Sequence, residues 1–154
     1  MAPTPAVGDR APDFTLPSTE GSISLAERLA SQAVLLVFYP GDDTPVCTRQ
    51  LCDYSDHMAV FADLGVDVLA VNPQSLESHE RFARKHGLSF PLLSDTDKSV
   101  CRSYGAVGLL GMTRRALVLI GKDGRVLWRR SDLPVFRRSA EELREVISGL
   151  ELGS

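Results

Sequence analysis

The chain has 154 residues, 44% of them hydrophobic and 24% charged, with a net charge of −3. This is the composition of one globular domain spanning 1–154. It gives no electrostatic reason to expect nucleic acid, no stretch long enough to cross a membrane and no secretion signal at Met1 to Arg10, so a cytoplasmic protein is expected. Three cysteines are too few for a secreted disulfide scaffold; in a reducing compartment, closely spaced ones point to redox chemistry or metal binding.

Val7 to Pro12 reads as a loop leading into a short strand, Asp13 to Leu16. Pro17 and Gly21 bracket a turn before a second short strand, Ser22 to Leu25, and Ser24 is placed to cap a helix to Ala30. Ala33 to Tyr39 is a near-continuous apolar run, as in a strand covered on both faces. Pro45 suits the first turn of a helix, where its missing N–H costs nothing, with Thr44 as N-cap. That helix is expected to reach about Leu64, with Tyr54, Met58, Phe61 and Ala62 on its apolar face and Gly65 ending it.

Val66 to Val71 reads as another buried strand. Ser75 or Ser78 opens a helix that Gly87 ends, and Ser94-Asp95 starts a short one through Val100 and Tyr104. Ala116 to Ile120 and Arg125 to Arg130 are strands joined at Lys122-Asp123-Gly124, and Ser139 to Glu142 is a capping box for a last helix to about Leu150. The pattern is a β-hairpin, then β-α-β-α, then β-β-α: an α/β fold with a mixed central sheet flanked by helices. Basic residues crowd the last third, from Arg114 to Arg138, and read as a solvated face. His57, His79 and His86 fall on predicted helices and read as surface or helix-end residues.

Chemistry concentrates between Tyr39 and Cys52. Cys47 lies in the first turn of a helix that follows a strand, where unpaired N–H groups and the positive dipole end favour a thiolate. Cys52 lies five residues on. In an intact helix that step separates the two Cα atoms by roughly 8.7 Å, from the standard rise and rotation. A disulfide needs less than about 7 Å. If the two ever bond, the first turns must unwind. A zinc site from Cys47, Cys52 and His57 lacks the usual short ligand spacing and does not put all three on one helical face. Cys101 has no acid–base pattern around it and reads as packing.

Pro40-x-x-x-Thr44-x-x-Cys47 after an apolar strand resembles the active-site motif of the peroxiredoxins. Cys52 five residues later resembles the peroxiredoxin Q subfamily, also called bacterioferritin comigratory protein. Gly8-Asp9-x-Ala11-Pro12-Asp13-Phe14 is similar to that family's opening, and Asp95, Tyr104-Gly105 and the Arg115 strand with its hairpin also fit. The resemblance covers nearly the whole chain and implies a thioredoxin-like fold. It implies that Cys47 attacks hydrogen peroxide or an organic hydroperoxide and becomes a sulfenic acid, and that Cys52 resolves this to a Cys47–Cys52 disulfide. Thioredoxin or a glutaredoxin-type dithiol would then reduce the disulfide. Thr44 would offer its hydroxyl to the peroxide, Pro40 would shield the thiolate, and Arg115, with Arg114 as the competing assignment, would supply the family's arginine. No metal or organic cofactor is implied, and members are commonly monomeric.

This chain departs from the family at Gln50, where many members carry a glutamate that could orient the arginine, and at Gly121, where many carry aspartate. Two rival readings on the same fold are a protein thiol–disulfide oxidoreductase, which the CxxxxC spacing disfavours against CxxC, and a holdase chaperone, which the proline and threonine disfavour.

Overall fold

A computed structural model describes residues 4–41, 45–108, 111, 113–132 and 140–150, and only the backbone of 45–47, 131–132 and 140–141. Strands β1 (Thr15–Leu16) and β2 (Ile23–Ser24) form the expected N-terminal hairpin. Helix α1 (Leu25–Leu29) begins at Ser24, whose hydroxyl accepts the Glu27 N–H. The main sheet has the order β5-β4-β3-β6-β7, from β3 (Ala33–Phe38), β4 (Val66–Asn72), β5 (Leu92–Ser94), β6 (Arg115–Ile120) and β7 (Val126–Asp132). Strands β4 and β5 run parallel to β3, and β6 runs antiparallel to it, so the sheet is mixed.

The apolar run of β3 fills both faces because alternate side chains point opposite ways. Val34, Leu36 and Phe38 join a core beneath α1, the hairpin and α5 (Ser99–Ser103). Ala33, Leu35 and Val37 join a second core. Its other members include Leu51 and Tyr54 of α2 (Pro45–Asp56), Phe61 of α3 (Met58–Asp63), Phe82 of α4 (Leu76–His86) and Ile147 of α6 (Ala140–Ser148). All six β3 side chains are buried. At about 1.5–3 kcal/mol for each large apolar side chain, the strand contributes on the order of 10 kcal/mol, as much as a typical domain's whole net stability.

Several expectations need correction. The helix expected to run to Leu64 breaks at His57, whose Nδ1–H turns back to donate to the Asp53 carbonyl at 2.7 Å; α3 restarts after it. Gly65 does end that second helix, in the left-handed region at φ 77° that costs glycine little. Leu92 to Ser94 is a strand, too short to stand out in the sequence. The next helix starts only at Ser99; Asp95 reaches forward to accept the N–H groups of Val100 and Cys101 at 3.2 and 2.7 Å. Ser75 rather than Ser78 caps α4, and α6 stops at Ser148. Ser139 lies outside the described residues.

His79 is no surface residue: it is buried, 3.5 Å from the Tyr39 hydroxyl, and its Nε2 lies 3.1 Å from the Leu93 carbonyl. Nor is the basic last third simply solvated. Arg115 is buried, Arg125 donates to the Gly8 carbonyl at 3.0 Å, and Arg129 donates to the Pro5 and Tyr104 carbonyls, tying the N-terminal segment to β7.

Burial, and then the Asp95 carboxylate, push the Cys101 thiol well above its ordinary range; burial and then Asp13 do the same to the Tyr104 phenol. Both stay protonated in the fold at a pH where the unfolded chain ionises. Their stabilisation is therefore complete below about pH 8.5, the unfolded thiol pKa, and is lost as pH rises. The expected loss is about 1.4 kcal/mol per pH unit for the thiol, with the phenol adding its own above about pH 10. Urea titrations of Cys101→Ala between these limits should show a shallower fall by that amount; an unchanged slope would contradict it.

Candidate active site

The site is built where β3 runs out. The Tyr39 N–H still donates to the Val71 carbonyl at 3.3 Å, so the sheet holds the chain up to the residue before Pro40. Pro40 is half-buried and lines a cleft of about 270 Å³ with Pro73, Gln74, Lys98 and Thr113. A larger cavity of about 520 Å³ lies between the N-terminal segment, α1 and the β6–β7 turn, and no described cysteine lines it. Thr44 lies outside the described residues, so its capping and its hydroxyl's role are not placed.

Helix α2 starts at Pro45 and carries Cys47 in its first turn, where backbone N–H groups have no intrahelical acceptor. It continues unbroken to Asp56, so Cys47 and Cys52 share one intact helix. Five helical residues hold their Cα atoms roughly 8.7 Å apart, beyond disulfide reach. Cys52 is a free, half-exposed thiol. Burial first, and then the Asp56 carboxylate one turn on, raise its pKa. It is therefore poorly ionised at neutral pH and makes a weak nucleophile for peroxide.

The second half of the site comes from β6. Its antiparallel register sets Ala116 against Phe38, so Arg115 emerges at the same sheet edge as Tyr39 and Pro40. Its neighbour Arg114 is exposed, whereas Arg115 is 1% exposed and donates through Nη1 to Gln50 Oε1. The Gln50 amide nitrogen in turn donates to the Tyr54 hydroxyl at 3.1 Å. Both Gln50 and Tyr54 are fully buried. Gln50, where the sequence departs from the glutamate of the family it resembles, thus receives the guanidinium through its amide oxygen.

The structure thus gathers Pro40, the backbone of Cys47, Cys52, Gln50 and Arg115 around the start of α2. It adds Tyr54, which the sequence reads only as an apolar-face residue, and the Tyr39–His79 pair. The four-residue step from Gln50 to Tyr54 was a usable signal, because such residues are neighbours on a helix. Nothing local marked His79.

Residues 7–129 match the AhpC/TSA family. A putative peroxiredoxin, bcp of Coxiella burnetii, is 43% identical over 101 residues, 66% of this chain and 67% of that protein. Peroxiredoxin Bcp of Escherichia coli is 40% identical over 126 residues, 77% of this chain and 81% of that one. The crystal structure of peroxidoxin BcpB from Mycobacterium tuberculosis superposes with a TM-score of 0.81 at 27% identity, covering 94% of this chain and 95% of its own. A cysteine-bearing helix at the edge of a thioredoxin-like sheet, with these relatives, defines a thiol-dependent peroxidase that consumes hydroperoxide and a thiol reductant. The chain belongs to the AhpC/TSA family, within it to the Bcp, or peroxiredoxin Q, branch.

The raised Cys52 pKa has a direct readout. In Cys47→Ser, alkylation of Cys52 by iodoacetamide should be slow at pH 7 and climb about tenfold per pH unit, as the thiolate fraction does below its pKa. Asp56→Asn should move the profile toward lower pH, and an unshifted profile would remove Asp56 as a cause.

Proposed function

We propose that Cys47 is the peroxidatic cysteine, that Arg115, Thr44 and Pro40 complete its site, and that Cys52 resolves it. The observation that carries this reading is the buried Arg115, delivered by β6 to the helix that holds both cysteines. A thiol with the ordinary pKa of about 8.5 must be lowered by about two units to be mostly thiolate at pH 7, which takes about 2.7 kcal/mol. A helix N-terminus supplies about 0.3–1 kcal/mol, and about 2 in favourable buried geometry. The helix alone falls short, and an adjacent guanidinium in a dry site closes the gap.

The thiolate sulfur attacks one oxygen of the hydroperoxide. The O–O bond breaks, Cys47 becomes a sulfenic acid, and the leaving oxygen departs as hydroxide or alkoxide and takes a proton. Negative charge spreads over sulfur and both oxygens in the transition state. Arg115, the Thr44 hydroxyl and the N–H groups at the start of α2 are preorganised to hold it. Pro40 shields the sulfur from water. The sulfenic acid then condenses with the Cys52 thiol, releasing water and leaving a Cys47–Cys52 disulfide, which requires the first turns of α2 to unwind. A dithiol protein such as thioredoxin or a glutaredoxin restores both thiols by exchange.

Hydrogen peroxide and organic hydroperoxides are the substrates in this reading, and 1–154 acts as a single, monomeric domain in the cytoplasm. Among the described residues, no helix is long and apolar enough to cross a membrane.

One equivalent of hydrogen peroxide added to the reduced protein should remove two hydrogens from wild type within seconds. In Cys52→Ser it should leave a trapped sulfenic acid. Arg115→Met should lower kcat/KM by about 10²–10³, the usual cost of losing one preorganised charge-stabilising donor; Arg114→Met should change it less than about threefold, as an exposed residue. Absence of oxidation at Cys47, or equal losses at both arginines, would defeat the assignment.

A further inference from the structure

Gln50 stands inside the five-residue step that the two cysteines must close. Its position creates a conflict. While α2 is intact, Gln50 receives Arg115 and donates to Tyr54, and all three side chains are buried. When Cys52 reaches Cys47, the Cα separation must shrink from roughly 8.7 Å to below about 7 Å. Residues between the two must then leave helical geometry, and Gln50 is the one among them whose side chain is tied by hydrogen bonds to both Arg115 and Tyr54, so its bonds oppose the spread of that unwinding. Tyr54 lies beyond the closed loop and packs edge-on against Phe61 of α3, so it stays with the folded part of α2.

We propose that the Arg115–Gln50–Tyr54 chain is a latch on the start of α2, with Gln50 a positioning residue. Closed, it holds Arg115 at the helix start; its opening is part of the barrier to disulfide formation. The inference rests on the peroxidatic and resolving roles proposed above. The latch sets how the Cys47 sulfenic acid is partitioned. If it opens, Cys47–SOH and Cys52–SH give the disulfide and water. If it stays closed while peroxide is abundant, Cys47–SOH and a second ROOH give Cys47–SO₂H and ROH, a dead end without a dedicated repair enzyme.

The neutral amide of Gln50 matters to this balance. A carboxylate at the same place would accept from Arg115 through a charge-assisted bond roughly twice as strong. Glutamine fixes the arginine more loosely and leaves the latch easier to open.

The test oxidises wild type, Gln50→Glu and Gln50→Met with excess hydrogen peroxide in the absence of reductant, and measures disulfide and sulfinic acid at Cys47 by intact mass. Gln50→Glu, isosteric and able to hold Arg115, should raise the ratio of sulfinic acid to disulfide about fivefold. Gln50→Met, which removes both hydrogen bonds of Gln50, should lower it by at least that factor. The opposite signs are the signature, because general loosening of the helix would move both variants the same way. Should Gln50→Met fail to fold, Tyr54→Phe removes only the far end of the chain and should lower the ratio about twofold. Equal ratios in all variants, or shifts of one sign, would overturn the latch. A wild type that forms no Cys47–Cys52 disulfide would instead overturn the resolving role beneath it.

Discussion

The antiparallel pairing of β6 with β3 is the constraint on which the site depends. Strands β4 and β5 come to β3 in parallel, so their carboxyl ends meet at one edge, where βαβ folds place their chemistry. A parallel β6 would have sent its first residue to the far edge. Because β6 is reversed, its opening residue arrives beside the last residues of β3. Arg115 is thereby brought to a helix start some seventy positions earlier in the chain. Its burial costs desolvation, which hydrogen bonding to an oriented amide offsets only in part.

In the proposed cycle the same helix start serves two incompatible demands. Exposed N–H groups and the dipole need a formed first turn to favour an anion at Cys47. The spacing of Cys47 and Cys52 needs that turn gone before they can bond. Leu51, Tyr54 and Phe61 embed the middle of the helix and the following α3 in the core, and Gln50 adds its hydrogen bonds to Arg115 and Tyr54. The kink at His57 separates α2 from α3.

The three cysteines show how environment rather than residue type assigns a role. Cys101 is sealed in the core beneath Asp95, which presses its thiol toward the neutral form. Cys52 is half-exposed, and burial and then Asp56 raise its pKa, which fits the resolving role proposed for it. Cys47 sits in the first turn of α2, where backbone N–H groups favour an anion.

The sequence by itself determined the elements whose signals are local. The apolar run of β3, the serine caps of α1 and α4, the glycine ends, the final hairpin and the cysteine at a proline-opened helix start all rest on contacts a few residues apart. Boundaries set by distant groups escaped it: β5 is a strand because β4 pairs with it, and α5 starts late because Asp95 reaches forward to its N–H groups. Tertiary structure buried Arg115, which the resemblance already favoured over Arg114, and it alone decided that Gln50 and Tyr54 form a relay and that His79 is buried against Tyr39. Each depends on strand register and packing between residues far apart in the chain. Periodicity reports which face a residue takes, but not which distant side chain will meet it there.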